Sequence, residues 1–209
     1  MIDQGLPVAE VLGALKASLQ SNDQVVLQAP PGAGKTTLVP LALMGESWLG
    51  QGKILMLEPR RIATRAAAYR MAELYGEQVG QTVGYAMRLE SRLSAATKIQ
   101  VITEGVLTQM LMEDPTLSGV GLVIFDEFHE RTIQMDAALA LLRKTQETQR
   151  PSMRLIITSA TLEIGNINKY LGNCKSVQLS AREYPVEIEY KSLQRGEIIW
   201  KRIASEIKK

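Results

Sequence analysis

The sequence predicts an α/β fold with a mostly parallel central sheet flanked by helices on both faces. Three observations carry that prediction. Six short β-rich runs recur along the chain: VVLQA (25–29), KILMLE (53–58), IQVIT (99–103), GLVIFD (121–126), RLIITS (154–159) and SVQLS (176–180). Helical patterns separate most of them, at 35–44, 61–75, 104–112 and 133–146, with a weaker one near 162–171. Strands alternating with helices build βαβ units and a parallel sheet, with right-handed crossovers. The third observation is LVIF at 122–125, a continuous apolar run that ends in Asp126 and Glu127. Such a run reads as a strand buried on both faces, and carboxylates at its carboxyl end sit where open α/β sheets bind ligands.

Each strand end carries its own signal. The first strand runs into APPGAGKTT, residues 29–37. The phosphate-loop pattern is G-x-x-x-x-G-K-[ST], and Ala29 stands at its first glycine position. Gly32 and Gly34 let the loop after Pro31 bend so that N–H groups from Gly32 to Thr37, Ala33 included, line an anion nest. A helix starting near Lys35 adds its positive dipole end. Lys35 is expected to reach the β- and γ-phosphates, Thr36 to ligate Mg²⁺ through its hydroxyl, and Thr37 to offer an N–H to the α-phosphate. The strand before the loop and the apolar helix after it are the context the motif requires.

The second strand ends in Glu58, Pro59, Arg60 and Arg61, with Arg65 and Arg70 close behind. Arginine forks at a strand end can hold phosphates without reading sequence, and Thr103 at the next strand end can add a hydroxyl. Arg65 reads equally as a solvated helix residue, and Arg88 equally as a structural ion-pair partner. At the fourth strand end, Asp126 is placed to hold a hydrated Mg²⁺ and Glu127 to orient or deprotonate an attacking water. His129, the only histidine, reads by itself as structural; with a single Cys beside it in the composition, a zinc site is poorly supported.

The remaining bounds are broad. A length of 209 residues suits one domain with or without extensions, and an apolar fraction of 45% allows a well-buried core. A net charge of +2 permits a nucleic-acid partner without demanding one. Cys174 stands alone, so no internal disulfide is expected, and it reads as a small apolar residue. The N-terminus carries no secretory pattern, and no apolar run approaches the ~18 residues of a membrane span. The chain is therefore expected to be cytoplasmic. Beyond the sheet, 183–193 alternates like an extended segment, and 195–209 places Ile198, Ile199, Ile203 and Ile207 near helical spacing.

Taken in order, these motifs carry a resemblance. DEFH followed by Glu130 and Arg131 resembles motif II of the DEAH-box helicases, with Phe128 where that family has alanine. The variant is similar to the bacterial HrpB-type ATP-dependent helicases. EPRR (58–61) is similar to motif Ia, GYAMRLE (84–90) to a Gly-Tyr…Arg…Glu segment, TEGVL (103–107) to motif Ib and SAT (159–161) to motif III. YPVE (184–187) resembles the segment closing the first motor domain. The likeness covers about residues 5–193.

The resemblance implies a RecA-like P-loop domain over 1–193, with 194–209 a terminal helix or a connector toward a second RecA-like domain. It implies ATP and Mg²⁺ at Lys35, Thr36, Asp126 and Glu127, with Arg70 stacking on the base. No adenine-reading glutamine motif belongs to the family, so base selectivity is expected to be loose. His129 would couple the site to the second domain, and Ser159 and Thr161 would link nucleotide state to RNA engagement. Arg60, Arg61, Arg88, Thr103 and Gly105 would face single-stranded RNA, with DNA left open. Motifs IV–VI and a Q-x-x-G-R-x-G-R-like segment are absent from these 209 residues. An arginine finger is worth roughly 10³–10⁵ in turnover, so the domain alone is expected to hydrolyse ATP slowly or not at all. A nucleotide-dependent binding module without turnover is the alternative.

Overall fold

The computed structural model describes residues 5–160, 164–180, 187–192, 196 and 198–207. Eight strands make one sheet: β1 (Gln24–Gln28), β2 (Lys53–Leu57), β3 (Val83–Met87), β4 (Glu90–Arg92), β5 (Ile99–Ile102), β6 (Val120–Phe125), β7 (Arg154–Ser159) and β8 (Lys175–Gln178). Their order is β4-β3-β5-β2-β6-β7-β1-β8, and every pairing is parallel except β3 with β4. The helices are α1 (Ala9–Ser21), α2 (Lys35–Leu43), α3 (Arg61–Tyr75), α4 (Glu104–Glu113), α5 (Ile133–Thr148), α6 (Ile164–Tyr170) and α7 (Ile199–Ile207).

Side-chain alternation explains why the strands read as continuous apolar runs. Val25, Leu27, Ile54, Met56, Leu122, Ile124 and Ile156 pack into a core shared with α1, α2 and α3. Val26, Leu55, Leu57, Val123, Phe125, Leu155 and Ile157 point the other way, into a core shared with α4, α5 and α6. Both faces of the central strands β1, β2, β6 and β7 are therefore buried, as a helix-covered parallel sheet requires. The expected α/β fold is what the chain adopts.

Three elements lie outside those the pattern predicts. In α1, Leu15 and Leu19 bury one stripe, but Ala, Gly and Ser between them dilute the helical signal. In β3, Gly84 and Ala86 replace the large residues that mark a strand. Gly84 is there for space: a Cβ would lie 2.3 Å from the Arg92 carbonyl oxygen of β4. Strand β4 is three residues long and mostly polar. The weaker helix expected near 162–171 is α6, its first two expected residues, 162 and 163, lying outside the described set. Most of YPVE lies outside it as well; Glu187 is described as part of an irregular stretch, 187–192. Helix α7 leaves Ile199, Trp200, Ile203 and Ile207 exposed. Cys174 is half-buried, and burial pushes its thiol up, as suits a packing residue. Among the described residues, no helix is long and apolar enough to cross a membrane.

Candidate functional site

The carboxyl ends of the parallel strands share one edge, and the predicted residues within the described set, Arg70 on α3 excepted, lie at those strand ends or in the turns that follow them. After β1 the chain turns through Pro31–Gly34 into α2. Gly32 and Gly34 take positive φ, 75° and 88°, and Gly34 stands at the N-cap of α2. Only glycine fits at 34, because a Cβ there would also lie 2.7 Å from Leu6 Cδ1. The N-terminal segment thus clamps the loop: Leu6 packs on Gly34, and Val8 N–H donates to the Ala33 carbonyl at 2.9 Å. At the loop's other end, Ala29 N–H donates to the Ser159 carbonyl at 3.1 Å. Ala29 is fully buried, so a methyl group fills the place where the usual pattern has hydrogen.

The acidic residues come from β6. Asp126 is fully buried and takes a hydrogen bond from the Thr36 hydroxyl at 2.6 Å and one from the Thr158 hydroxyl. Burial raises its carboxyl above the usual range, and the two hydroxyls oppose that rise. Lys35 is buried as well, its Nζ 2.8 Å from Glu127 Oε1. Glu127 Oε2 lies 3.3 Å from His129 Nδ1, too poorly aligned for a hydrogen bond. Glu127 (φ 48°) and Arg131 (φ 46°) bracket a 3₁₀ turn at Phe128–Glu130. A left-handed φ in a non-glycine residue stores strain and is held only where the surroundings fix it. Here Phe128 supplies the anchor. It is buried, meets Phe125 edge-on at 5.9 Å, and carries the Arg131 guanidinium 5.5 Å from its ring centroid.

Glu58, at the end of β2, is a third carboxylate in this region and is 3% exposed. Burial pushes it up to about 8, and the charges of Asp126 and Glu127 add to the shift. Two buried carboxylates next to a third, with one lysine among them, make an electrostatic environment that a divalent cation would relieve. Among the described residues no group of three or more His, Cys, Asp and Glu forms a protein cage for a metal. Magnesium does not need one: it is held by one or two protein oxygens with waters and phosphates. The Thr36–Asp126 pair beside a nest at a helix N-terminus fits that requirement.

The other half of the edge is arginine-rich. Arg60 and Arg61 follow β2 into α3, Thr103 stands at the N-cap position of α4 after β5 without a side-chain capping bond, and Arg88 follows β3. Strand register brings them side by side: Leu57 pairs with Ile102, and Ala86 with Ile102 from the other side. Arg60, Arg61, Arg88 and Gly105 are exposed, and Thr103 is half-buried. Arg65 is not part of this row: it pairs with Glu90 at 2.5 Å, and Tyr85 donates to the same carboxylate at 2.6 Å. Arg70 lies on the exposed side of α3, in an i,i+3 pair with Glu73 at 2.6 Å. Ser159 is buried at the end of β7, and Thr161 lies outside the described residues.

This geometry can be set against known proteins. The sequence profile of the family described as DEAD/DEAH box helicase matches residues 12–170. The chain belongs to that family. It is 49% identical over 185 residues to the ATP-dependent RNA helicase HrpB of Escherichia coli, covering 88% of this chain and 23% of that protein. It is 37% identical to the pre-mRNA-splicing factor ATP-dependent RNA helicase prp22 of Schizosaccharomyces pombe, covering 90% of this chain and 16% of that one. The crystal structure of Escherichia coli DEAH/RHA helicase HrpB superposes with a TM-score of 0.89 at 46% identity, over 97% of this chain and 26% of that chain. The chain thus spans about a quarter or less of the length of these relatives. The sheet and its helices are the RecA-like domain of a DEAH helicase motor.

Several residues of this helicase domain were not singled out by the sequence reading. Thr158 is one position before the noticed Ser159 and holds Asp126. Alternation supplies the only clue: within a strand, neighbours face opposite sides. Glu58 was visible only as the first residue of EPRR. Glu104 and Glu130 enter the sequence only as letters of TEGVL and of the motif II likeness, although each makes a contact across elements. Leu6 and Val8 gave no signal at all.

Proposed function

We propose that this chain is the first motor domain of an ATP-dependent RNA helicase, that it binds ATP with Mg²⁺ beside a single-stranded RNA backbone, and that full turnover needs a second RecA-like domain. One observation carries the reading: a single sheet edge presents the phosphate loop and DEFH turn on β1 and β6, directly beside EPRR and TEGVL on β2 and β5. On this reading, residues 1–193 form the nucleotide-binding domain and 194–209 lead toward the second.

The roles follow from the contacts. Backbone N–H groups of Gly32–Thr37 and the Lys35 ammonium bind phosphate oxygens. Lys35 is already buried at the loop and paired with Glu127, a partner it exchanges for phosphate oxygens when nucleotide binds. Thr36 and Asp126 would hold Mg²⁺, which would supply neutralisation of the charge that builds on the transferred phosphoryl group. Lys35 turning to phosphate frees Glu127 to orient the attacking water and accept its proton. His129 and Ser159, with Thr161, link this centre to the second domain. Arg70 stacks on the base, with loose selectivity. Arg60, Arg61, Arg88, Thr103 and Gly105 grip the nucleic-acid backbone, on RNA first and with DNA as a second substrate to be tried.

The test is ATP turnover of the two-domain protein, with and without single-stranded RNA, repeated for Glu127→Gln. Stimulation by RNA is expected, and the variant should lose roughly 10²–10⁴ in turnover while still binding ATP. Absence of stimulation by any nucleic acid would overturn the helicase reading.

A further inference from the structure

The nucleotide half and the nucleic-acid half of the edge are joined at the short segment that follows the DEFH turn. Arg60, at the end of β2, meets Glu130 through two contacts: Nε to Oε2 at 3.3 Å and Nη2 to Oε1 at 2.9 Å. Glu104, between Thr103 and Gly105, accepts a hydrogen bond from the Thr132 hydroxyl at 2.5 Å. That hydroxyl also accepts from Met135 N–H at 3.1 Å, capping α5. The turn closes on itself, because Glu130 N–H donates to the Glu127 carbonyl at 2.9 Å. A displacement of Glu130 therefore pulls directly on the residue that carries the water-facing carboxylate.

From this we propose that residues 130–132 are the link through which a phosphate backbone held at Arg60 and at Thr103–Gly105 acts on Glu127 and His129, with Glu130 and Glu104 as positioning residues. The inference rests on the helicase reading above. Both Arg60 contacts use the Nε–Nη2 edge of the guanidinium, which turns the Nη1 edge outward toward a phosphate. The side chain is 72% exposed, and an exposed ion pair of this kind adds little stability. Its effect is orientation: a planar fork fixed on one edge presents the other in a defined direction. The backbone of the turn is the element that can respond. Its two flanking left-handed residues, Glu127 and Arg131, are held by surrounding contacts rather than by local preference. On the far side, Arg131 is fixed by a double contact to Asp136, Nη2 to Oδ2 at 2.9 Å and Nε to Oδ1 at 3.2 Å. With α5 and Phe128 as the fixed side, a pull at Glu130 and Thr132 falls on the turn. A phosphate docking on Arg60 thus selects one placement of Glu127, which is coupling in the thermodynamic sense of two sites biasing one element.

The test uses the two-domain protein in four forms: wild type, Glu130→Gln, Arg60→Ala and the double variant. ATP turnover is measured without RNA and at saturating oligouridylate, and oligouridylate affinity is measured separately. Glu130→Gln is expected to lower the ratio of stimulated to unstimulated turnover by about tenfold. Its Kd for RNA should stay within about threefold of wild type, because an exposed pair is weak. In the Arg60→Ala background, Glu130→Gln should cause no further loss. An unchanged ratio for Glu130→Gln in a protein whose wild type is stimulated overturns the link alone. Equal losses in both backgrounds also overturn it, since Glu130 would then act independently of Arg60. A wild type that no nucleic acid stimulates overturns the helicase reading and the link with it.

Discussion

Two halves of one sheet edge follow opposite physical rules. At the ends of β1, β6 and β7, the central charged groups are buried and paired: Lys35 with Glu127, Asp126 with Thr36 and Thr158. On β2, β3 and β5, the charged side chains stand in water, with Arg60, Arg61 and Arg88 all exposed. The difference fits the role proposed for each half. Phosphoryl chemistry depends on charges fixed before the reaction in a low-dielectric site. Gripping a nucleic-acid backbone without reading sequence needs only positive charge and reach. Glu58 shows that the boundary is not drawn by strand alone: it ends β2, yet is buried with the carboxylates of β6.

The comparison breaks first, and by the largest effect, at Lys35. Lys35→Ala is expected to lower RNA-stimulated ATP turnover by roughly 10²–10³, the loss typical of one preorganised charge. RNA affinity without nucleotide should not move. Steady-state hydrolysis and a fluorescence titration with oligouridylate measure the two quantities. A parallel loss of RNA affinity would show that the halves are not separable.

That contrast also governs what the sequence could reveal. The fold was legible because buried parallel strands leave continuous apolar runs, such as LVIF before Asp126. The phosphate-loop half was legible because a nest of N–H groups at a helix N-terminus calls for glycine at positive φ, as at Gly32 and Gly34. Strands β3 and β4 were not legible, since Gly84 is selected for a close backbone approach and not for strand propensity. The arginine-rich half stood out in the sequence only by its charge and by motif likeness, and charge does not separate a phosphate contact from a structural pair. Arg65 looked like a neighbour of Arg60 and Arg61, but Glu90 and Tyr85 tie it to β4 instead. Contacts between distant segments, such as Glu130 with Arg60, leave no periodic trace.

Glu58 provides the next prediction. Its carboxyl is raised from the ordinary value of 4.5 to about 8, so the folded state keeps a proton that the unfolded chain has released. Stability must then fall as pH rises from 4.5 toward 8 and level off above it. In metal-free buffer the fall between about pH 6 and 9 should be on the order of 2–3 kcal/mol at most. Glu58→Gln should flatten that dependence in urea unfolding. A slope identical to wild type would place Glu58 outside the buried half.

Thr158→Val is smaller and tests whether the buried half depends on full satisfaction of its polar groups. The substitution keeps shape but removes one of the two hydroxyl donors to Asp126. A buried acceptor left short of a partner costs about 1–3 kcal/mol. The loss should appear in unfolding, together with weaker Mg²⁺-dependent nucleotide binding. Unaltered stability would mean that Asp126 is better solvated than its burial indicates.

The smallest effect lies on the exposed half and concerns salt. Each phosphate neutralised on a single strand contributes about −0.7 to the slope of log affinity against log salt. Arg60→Ala and Arg61→Ala should each flatten the slope by about that amount, with little change in fold because both side chains are exposed. Arg65→Ala is the matched control. Its guanidinium is already neutralised by Glu90, 2.5 Å away, in a contact that holds α3 to β4. Removing it should leave the slope unchanged while lowering stability slightly, because Glu90 then retains only the Tyr85 hydroxyl of this pair of partners. If Arg65 flattened the slope and Arg60 did not, the backbone-binding row would run along α3 rather than along the strand ends, and the division of the edge into two halves would have to be redrawn.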